Sequence, residues 1–181
     1  MHQRHRDKKQ YFNEQTYTTK KYVIPYIEPH SPISKDTTVL EIGCGEGGNL
    51  LPFLDKGCKV TGIDLSKGKI EKGIEFFASH PKRDNLTLIA ENIYSRNDLG
   101  KFDVIFLRDV IEHIPNQEYF MSYFKCFCHA DTVVFFAFPP WQNPFGGHQQ
   151  ICYSKVLSKL PYFHMLPAAA YRTVLKLFGE P

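Results

Sequence analysis

At 181 residues, with a formal net charge of +3, the chain has the length of one domain that can bury a full core without disulfide staples. The slight basic excess, much of it in the polar leader 2–9, argues against a dedicated nucleic-acid binder. Five cysteines without framework spacing point to a reducing, cytoplasmic setting; no apolar run reaches transmembrane length, and no signal-peptide core follows the basic start.

Strand and helix patterns alternate along the chain, the mark of an α/β fold with a doubly wound, mostly parallel sheet. Residues 11–27 read as a leading helix or helix pair broken at Pro25. Residues 38–42 form the first strand, and an amphipathic segment over 49–56 follows. The second strand is 59–63, after which Ser66 caps a helix with Ile70, Ile74 and Phe77 on one face. Strands at 86–90 and 102–107 come next. Pro115 suits the first turn of a helix whose Phe120, Phe124 and Phe127 face the core. Strand five, 132–138, is closed by Pro139-Pro140. Beyond it lie a loop over 141–150, a short helix candidate over 152–160 and a last helix opened by Pro167 that carries Val174, Leu175 and Phe178.

The strongest signal is Val39-Leu-Glu-Ile-Gly-Cys-Gly-Glu-Gly-Gly48, a buried strand that stops at four glycines within six residues. Glycines at such a turn expose bare backbone to a ligand, and the helix behind offers unpaired N–H groups. The next strand ends in Asp64, which can accept both hydroxyls of a ribose. The pair points to a nucleoside-containing cofactor. Read as Gly43, Gly45 and Gly48, the turn fits the dinucleotide fingerprint of a nicotinamide-dependent oxidoreductase.

Read as Glu41, Gly43, Gly45 and Gly47, the same turn resembles motif I of the class I S-adenosylmethionine (SAM)-dependent methyltransferases. Three further segments resemble that family's motifs in order and spacing: Val60-Thr-Gly-Ile-Asp64-Leu65-Ser66, Leu86-Thr-Leu-Ile-Ala-Glu91-Asn92-Ile93, and Phe102 to Ile114 with Arg108, Asp109, Glu112 and His113. The fourth is close to the form of ubiquinone-biosynthesis-type O-methyltransferases. The resemblance spans about residues 35–140 and implies a Rossmann-like fold, with a helical cap over 1–34 and acceptor-side elements over 141–181. The family sheet has seven strands, of which five are legible here. The chain is therefore expected to lack the last two, through truncation or a rebuilt terminal region.

The implied cofactor is S-adenosyl-L-methionine, with S-adenosyl-L-homocysteine as product. The resemblance places Glu41, Gly43, Cys44, Gly45 and Gly47 along its methionine and ribose, with Asp64 on the ribose hydroxyls. Leu65, Asn92 and Ile93 then lie by the adenine, and Arg108 at the same pocket. Asn92, or Glu91 if the register slips by one, stands where the family places an acid. One of Tyr11, Tyr17 and Tyr22 in the leader is expected to touch the cofactor. Methyl transfer needs positioning and exclusion of water rather than a nucleophile or metal. His113 or His148 is the candidate general base, His113 alternatively a helix cap. Asp109, Trp141 and Phe145 are candidates for the acceptor side, although loop aromatics can equally staple a loop to its core. Cys126, Cys128 and His129 lack the spacing and fourth ligand of a metal site.

The expected activity is methylation of a small or medium acceptor at oxygen, a lipid- or saccharide-linked acceptor being a variant. A non-catalytic SAM-binding module is the alternative. Lys155, Lys159, Arg172 and Lys176 flank Leu157, Leu160, Leu175 and Phe178, so the tail either docks on the sheet, the simpler expectation, or lies on a membrane surface.

Overall fold

The computed structural model describes residues 7–146 and 149–180. Its sheet has five parallel strands in the order β3-β2-β1-β4-β5: β1 Thr38–Ile42, β2 Lys59–Ile63, β3 Leu86–Ile89, β4 Phe102–Arg108 and β5 Cys128–Ala137. Helices cover both faces, which explains strands that are apolar at nearly every position. Alternate residues of β1 and β4 feed two cores. Val39, Val104 and Phe106 join Phe12, Phe53 and Phe77 on one face. Leu40, Ile42, Ile105 and Leu107 join Phe120, Phe124 and Phe127 on the other. Phe53 stacks on Phe106 at 5.5 Å, and cutting either to Ala is expected to cost about 3–5 kcal/mol.

The leader is α1 Lys8–Thr18, a π-helical turn Thr19–Val23 and α2 Ile24–Ile27. Pro25 therefore breaks nothing. The π turn hands the Ile24 N–H to Thr19 O, shifting the hydrogen-bond register just where a proline deprives an α-helix of a donor. Helix α3 spans Leu51–Lys56, and α4 spans Lys67–Phe77. In α4 Ile70 and Phe77 are buried but Ile74 is 42% exposed, because Gly73 takes the inner position against Glu46 O. Ser66 occupies the N-cap of α4 without a side-chain capping bond. Helix α5 is Gln117–Tyr123; its cap is Asn116, whose side chain accepts the Tyr119 N–H, so Pro115 lies just outside the helix.

Strand β5 starts four residues earlier than its apolar run. Thr132 donates to Phe102 O at 2.6 Å and accepts the His129 N–H at 2.8 Å, holding an irregular register near Phe102 and Val104. At the amino ends of the strands, Asp103 Oδ2 accepts the N–H and hydroxyl of Thr38, each at 2.7 Å, and Oδ1 meets His129 Nε2 at 3.1 Å. Partial burial pushes the Asp103 carboxyl up, but the Thr38 and His129 bonds outweigh it and hold it below its ordinary value.

The chain divides after Ala137 into two compact units. The second is built from short 3₁₀ turns around buried Leu157 and Phe163, plus α6 Ala168–Leu177. The helix expected over 152–160 is only the turn Leu157–Lys159. Gln149 donates to Pro144 O and Leu160 O, and His164 donates from Nε2 to Trp141 O at 2.6 Å. No described helix is long and apolar enough to cross a membrane.

Candidate cofactor-binding and catalytic site

The carboxyl ends of β1, β2 and β4 carry the candidate residues, where open α/β sheets bind ligands. Strand β1 runs into a turn with positive φ at Gly43, Gly45 and Gly47 (77°, 56° and 82°). A side chain at Gly43 would be strained at that φ and would also stand 2.3 Å from Val110 Cγ2. The turn is pinned to β2: the N–H groups of Gly43 and Cys44 both reach Ile63 O, at 2.7 and 3.1 Å. Cys44 turns its thiol inward over Gly62, where it is 1% exposed, so only its backbone faces the turn. Burial first, then Glu41 and Asp64, push that thiol well above its ordinary range.

Asp64 follows β2 directly. Its Oδ2 accepts the Gly45 N–H at 2.9 Å and its Oδ1 the Ser66 N–H at 2.8 Å. A carboxylate has about four lone-pair sites, so each oxygen keeps one for a further donor. Neighbouring Leu65 is 75% exposed. Asn92 lies past β3 and caps a 3₁₀ turn, its Oδ1 accepting the Tyr94 N–H at 3.1 Å. The oxygen expected to meet an amino group is thus already engaged once. Ile93 is 8% exposed and belongs to the second core.

Glu41 points inward and is 1% exposed. Its Oε1 accepts from Asn49 Nδ2 at 2.7 Å, while Oε2 has no hydrogen-bond partner among the described residues. Burial pushes the carboxyl well above the usual range, against the pull of Asn49 and Arg108. Asn49 is the hub of this corner. Its Oδ1 accepts from buried Thr19 at 2.9 Å and from Arg108 at 3.1 Å. Arg108 Nε in turn lies 3.9 Å from Asp109 Oδ2. Asp109 is held at φ 55°, a conformation that non-glycine residues adopt mainly where surroundings enforce it. Its N–H is fixed by Ala137 O at 2.8 Å.

Helix α1 lies across the glycine turn. Thr16 donates to Gly48 O at 2.9 Å, and a Cβ on Gly48 would meet Phe12 O at 2.6 Å. Of the leader tyrosines, Tyr11 is half-buried in the field of Asp109, Arg108, Glu41 and Glu46. Burial, then Asp109, raises its phenol above the ordinary value. Tyr17 and Tyr22 are 58% and 57% exposed.

His113 ends the 3₁₀ turn Ile111–His113 with an exposed ring. Its Nε2 lies 3.9 Å from Oε1 of Glu112, whose Oε2 is buried without a hydrogen-bond partner among the described residues. Asn49, Thr19 and Glu112 are the residues the sequence reading passed over. The only linear signal is a polar side chain directly after the glycines for Asn49 and directly before the histidine for Glu112; Thr19 has none. His148 lies outside the described residues. Trp141 and Phe145 belong to the second unit; the Trp141 ring packs edge-on to His164 at 4.8 Å, a staple within that unit. His129, part of the thiol and imidazole group near β5, is taken up by Asp103.

A parallel sheet with a glycine turn after β1 and an acid at the tip of β2 defines a Rossmann-like domain for a nucleoside cofactor. Residues 10–168 match the family described as "Methyltransferase domain". The chain belongs to that family, the class I SAM-dependent methyltransferases. It is 31% identical over 105 residues to the (S)-tetrahydroprotoberberine N-methyltransferase of Eschscholzia californica, a match covering 57% of this chain and 30% of the relative. It is 30% identical over 105 residues to the ubiquinone biosynthesis O-methyltransferase of Pelagibacter ubique, covering 57% and 42%. The chain thus spans less than half the length of these relatives. Among solved structures, PKMT2 from Rickettsia typhi in complex with AdoHcy shares the fold with TM-score 0.58 and 24% identity, over 91% of this chain and 33% of that one.

Proposed function

We propose that the chain binds S-adenosyl-L-methionine across the glycine turn and transfers its methyl group to a small or medium-sized acceptor at oxygen, leaving S-adenosyl-L-homocysteine. The observation that carries this reading is Asp64: two backbone N–H groups aim a carboxylate with spare acceptor sites at the space beside the glycine turn. Two features fit the methionine end. Glu41 Oε2 is a buried orphan acceptor suited to an ammonium, directly or through water. Around Gly45 the backbone is bare, a Cβ there meeting only Lys69 Cδ at 3.8 Å.

When bound, the cofactor supplies a methyl group already activated on a sulfonium. The chain's own work is placement. Asp64 holds the ribose hydroxyls, Leu65 and Ile93 flank the adenine and Asn92 borders it. Asn49 and Arg108 fix Glu41, and α1 excludes water. His113 is the base for the acceptor proton, with Glu112 Oε1 3.9 Å from its Nε2. Asp109 orients the acceptor. The setting is the cytoplasm, a reducing compartment that suits the buried thiols of Cys44 and Cys58.

A nitrogen acceptor is the second reading, favoured by likeness to the (S)-tetrahydroprotoberberine N-methyltransferase. Calorimetric titration with SAM and with NAD, followed by methyl transfer to phenolic and amine acceptor panels, separates the possibilities. SAM binding with transfer to phenols is expected. Transfer only to amines moves the acceptor to nitrogen. Binding without any transfer leaves a SAM-binding module, and failure to bind SAM ends the proposal.

A further inference from the structure

The charge of the molecule is unevenly divided. Residues 138–181 hold Lys155, Lys159, Arg172 and Lys176 against the single acid Glu180, so this stretch carries the whole +3 of the chain and residues 1–137 sum to zero. Glu180 is itself occupied. Its two oxygens accept the N–H groups of Tyr153 and Ser154 at 3.0 and 2.7 Å, tying the end of α6 to the segment 151–156. Around that tie, Ile151 is 84% exposed, Tyr153 82%, Val156 62% and Leu177 78%.

Helix α6 repeats the theme. Tyr171, Val174, Leu175 and Phe178 follow the i, i+3, i+4, i+7 spacing of a stripe that a helix packed on its own domain buries. Yet Tyr171, Val174 and Leu175 are only partly buried, Tyr171 against Phe163 at 4.7 Å, and Phe178 just past the helix is 47% exposed. Large exposed apolar side chains gathered on segments tied together in this way mark an interaction site. Its charge selects the partner. The same unit of a second copy would bring +3 against +3, its single acid Glu180 already occupied. An anionic lipid surface offers phosphates for the ammonium groups and an acyl boundary for the aromatic and aliphatic side chains, the lysine stems reaching between the two.

We propose that the unit formed by residues 138–180 docks on anionic phospholipid bilayers through Ile151, Tyr153, Val156 and Leu177, with Lys155, Lys159 and Lys176 at the headgroups. This surface acts independently of methyl transfer. Co-sedimentation of the whole chain with phosphatidylcholine vesicles, with and without phosphatidylglycerol, tests it. Binding is expected only to the mixed vesicles, weakened by salt and reduced by about tenfold or more in the double variant Lys155→Glu, Lys159→Glu. The double variant Ile151→Asp, Tyr153→Asp changes only exposed side chains and is expected to lose binding while keeping the parent's circular dichroism and SAM affinity. No partition, or equal and salt-insensitive partition into neutral vesicles, overturns the proposal. So does self-association that these same substitutions abolish, in the absence of vesicle binding.

Discussion

Asp103, at the amino end of β4, and Asp64, just past the carboxyl end of β2, each take hydrogen bonds from distant chain segments, but they leave different remainders. Asp103 accepts two bonds from Thr38 and one from His129, so it joins β1, β4 and β5. Asp64 accepts only backbone N–H groups, one on each oxygen, from the two turns that flank it. Three partners, two of them side chains, take up most of the first acid in holding strands together, whereas two backbone partners aim the second and leave it more acceptor capacity. Within one sheet, the amino ends thereby tie strands together, while the carboxyl ends keep an acid with acceptor sites to spare, as the proposed binding requires.

Asp64→Ala is the largest expected break in that contrast. Losing two charge-assisted hydrogen bonds, at roughly 1.5–3 kcal/mol each, weakens SAM binding by roughly 10²–10⁴-fold in calorimetry. A variant that binds like the parent removes the ribose assignment. Asn49→Leu comes next. It strips Glu41, Thr19 and Arg108 of a common partner, and a loss of about 2–3 kcal/mol of unfolding free energy, read as a lower urea midpoint, is expected. An unchanged midpoint would show that the hub is not structural.

Asp103→Asn sharpens the other side of the comparison. With Asp103 only partly buried, a loss of about 1 kcal/mol is expected, with SAM affinity unchanged within roughly twofold. Because its carboxyl is held low, this stability is present above its ordinary value of 3.8 and fades as pH falls through the folded-state pKa. A weakened Kd would erase the distinction between the two ends.

Glu41 titrates with the opposite sign and shows as a slope rather than a single shift. Burial holds its carboxyl well above 4.5, so the folded chain keeps that proton more tightly than the unfolded one. The stabilisation is complete below 4.5 and is lost as pH rises through the folded value. Glu41→Gln mimics the protonated form. It is expected to melt with the parent at pH 4 and progressively above it toward pH 8. Parallel curves for parent and variant would mean that Glu41 is already ionised in the fold.

The strands were legible because β-branched and apolar runs ended at glycines or acids, and β1 and β2 begin and end at the expected residues. Asp64 was legible for the same reason, since the end of an apolar run fixes where an acid must emerge. Asn49 was not. Its partners stand 8, 30 and 59 residues away, at Glu41, Thr19 and Arg108, and no local pattern announces a bond made across a fold. Ile74 misled because periodicity counts apolar residues, while a close approach to Glu46 O reserves the inner place for Gly73. Past Phe138 the pattern weakened because that unit relies on 3₁₀ turns and buried Gln149 and His164 rather than on strands.

The π turn at Thr19–Val23 makes the leader sensitive to length in a way that composition does not reveal. It holds one residue more than an α-helical turn would use, and each residue rotates a helix by about 100°. Deleting any one residue between Thr19 and Val23 lets the helix relax into continuous α phase. Ile24 and Ile27, now 3% and 1% exposed, would keep their place in the core, but Pro25 would then stand inside a continuous α-helix, lacking a donor and crowding the carbonyl four residues back, at about 3 kcal/mol. Substitutions there keep the count and are tolerated far better. The leader is therefore keyed by residue number through its proline, and the bond from Thr19 to Asn49 fixes where the wide turn sits.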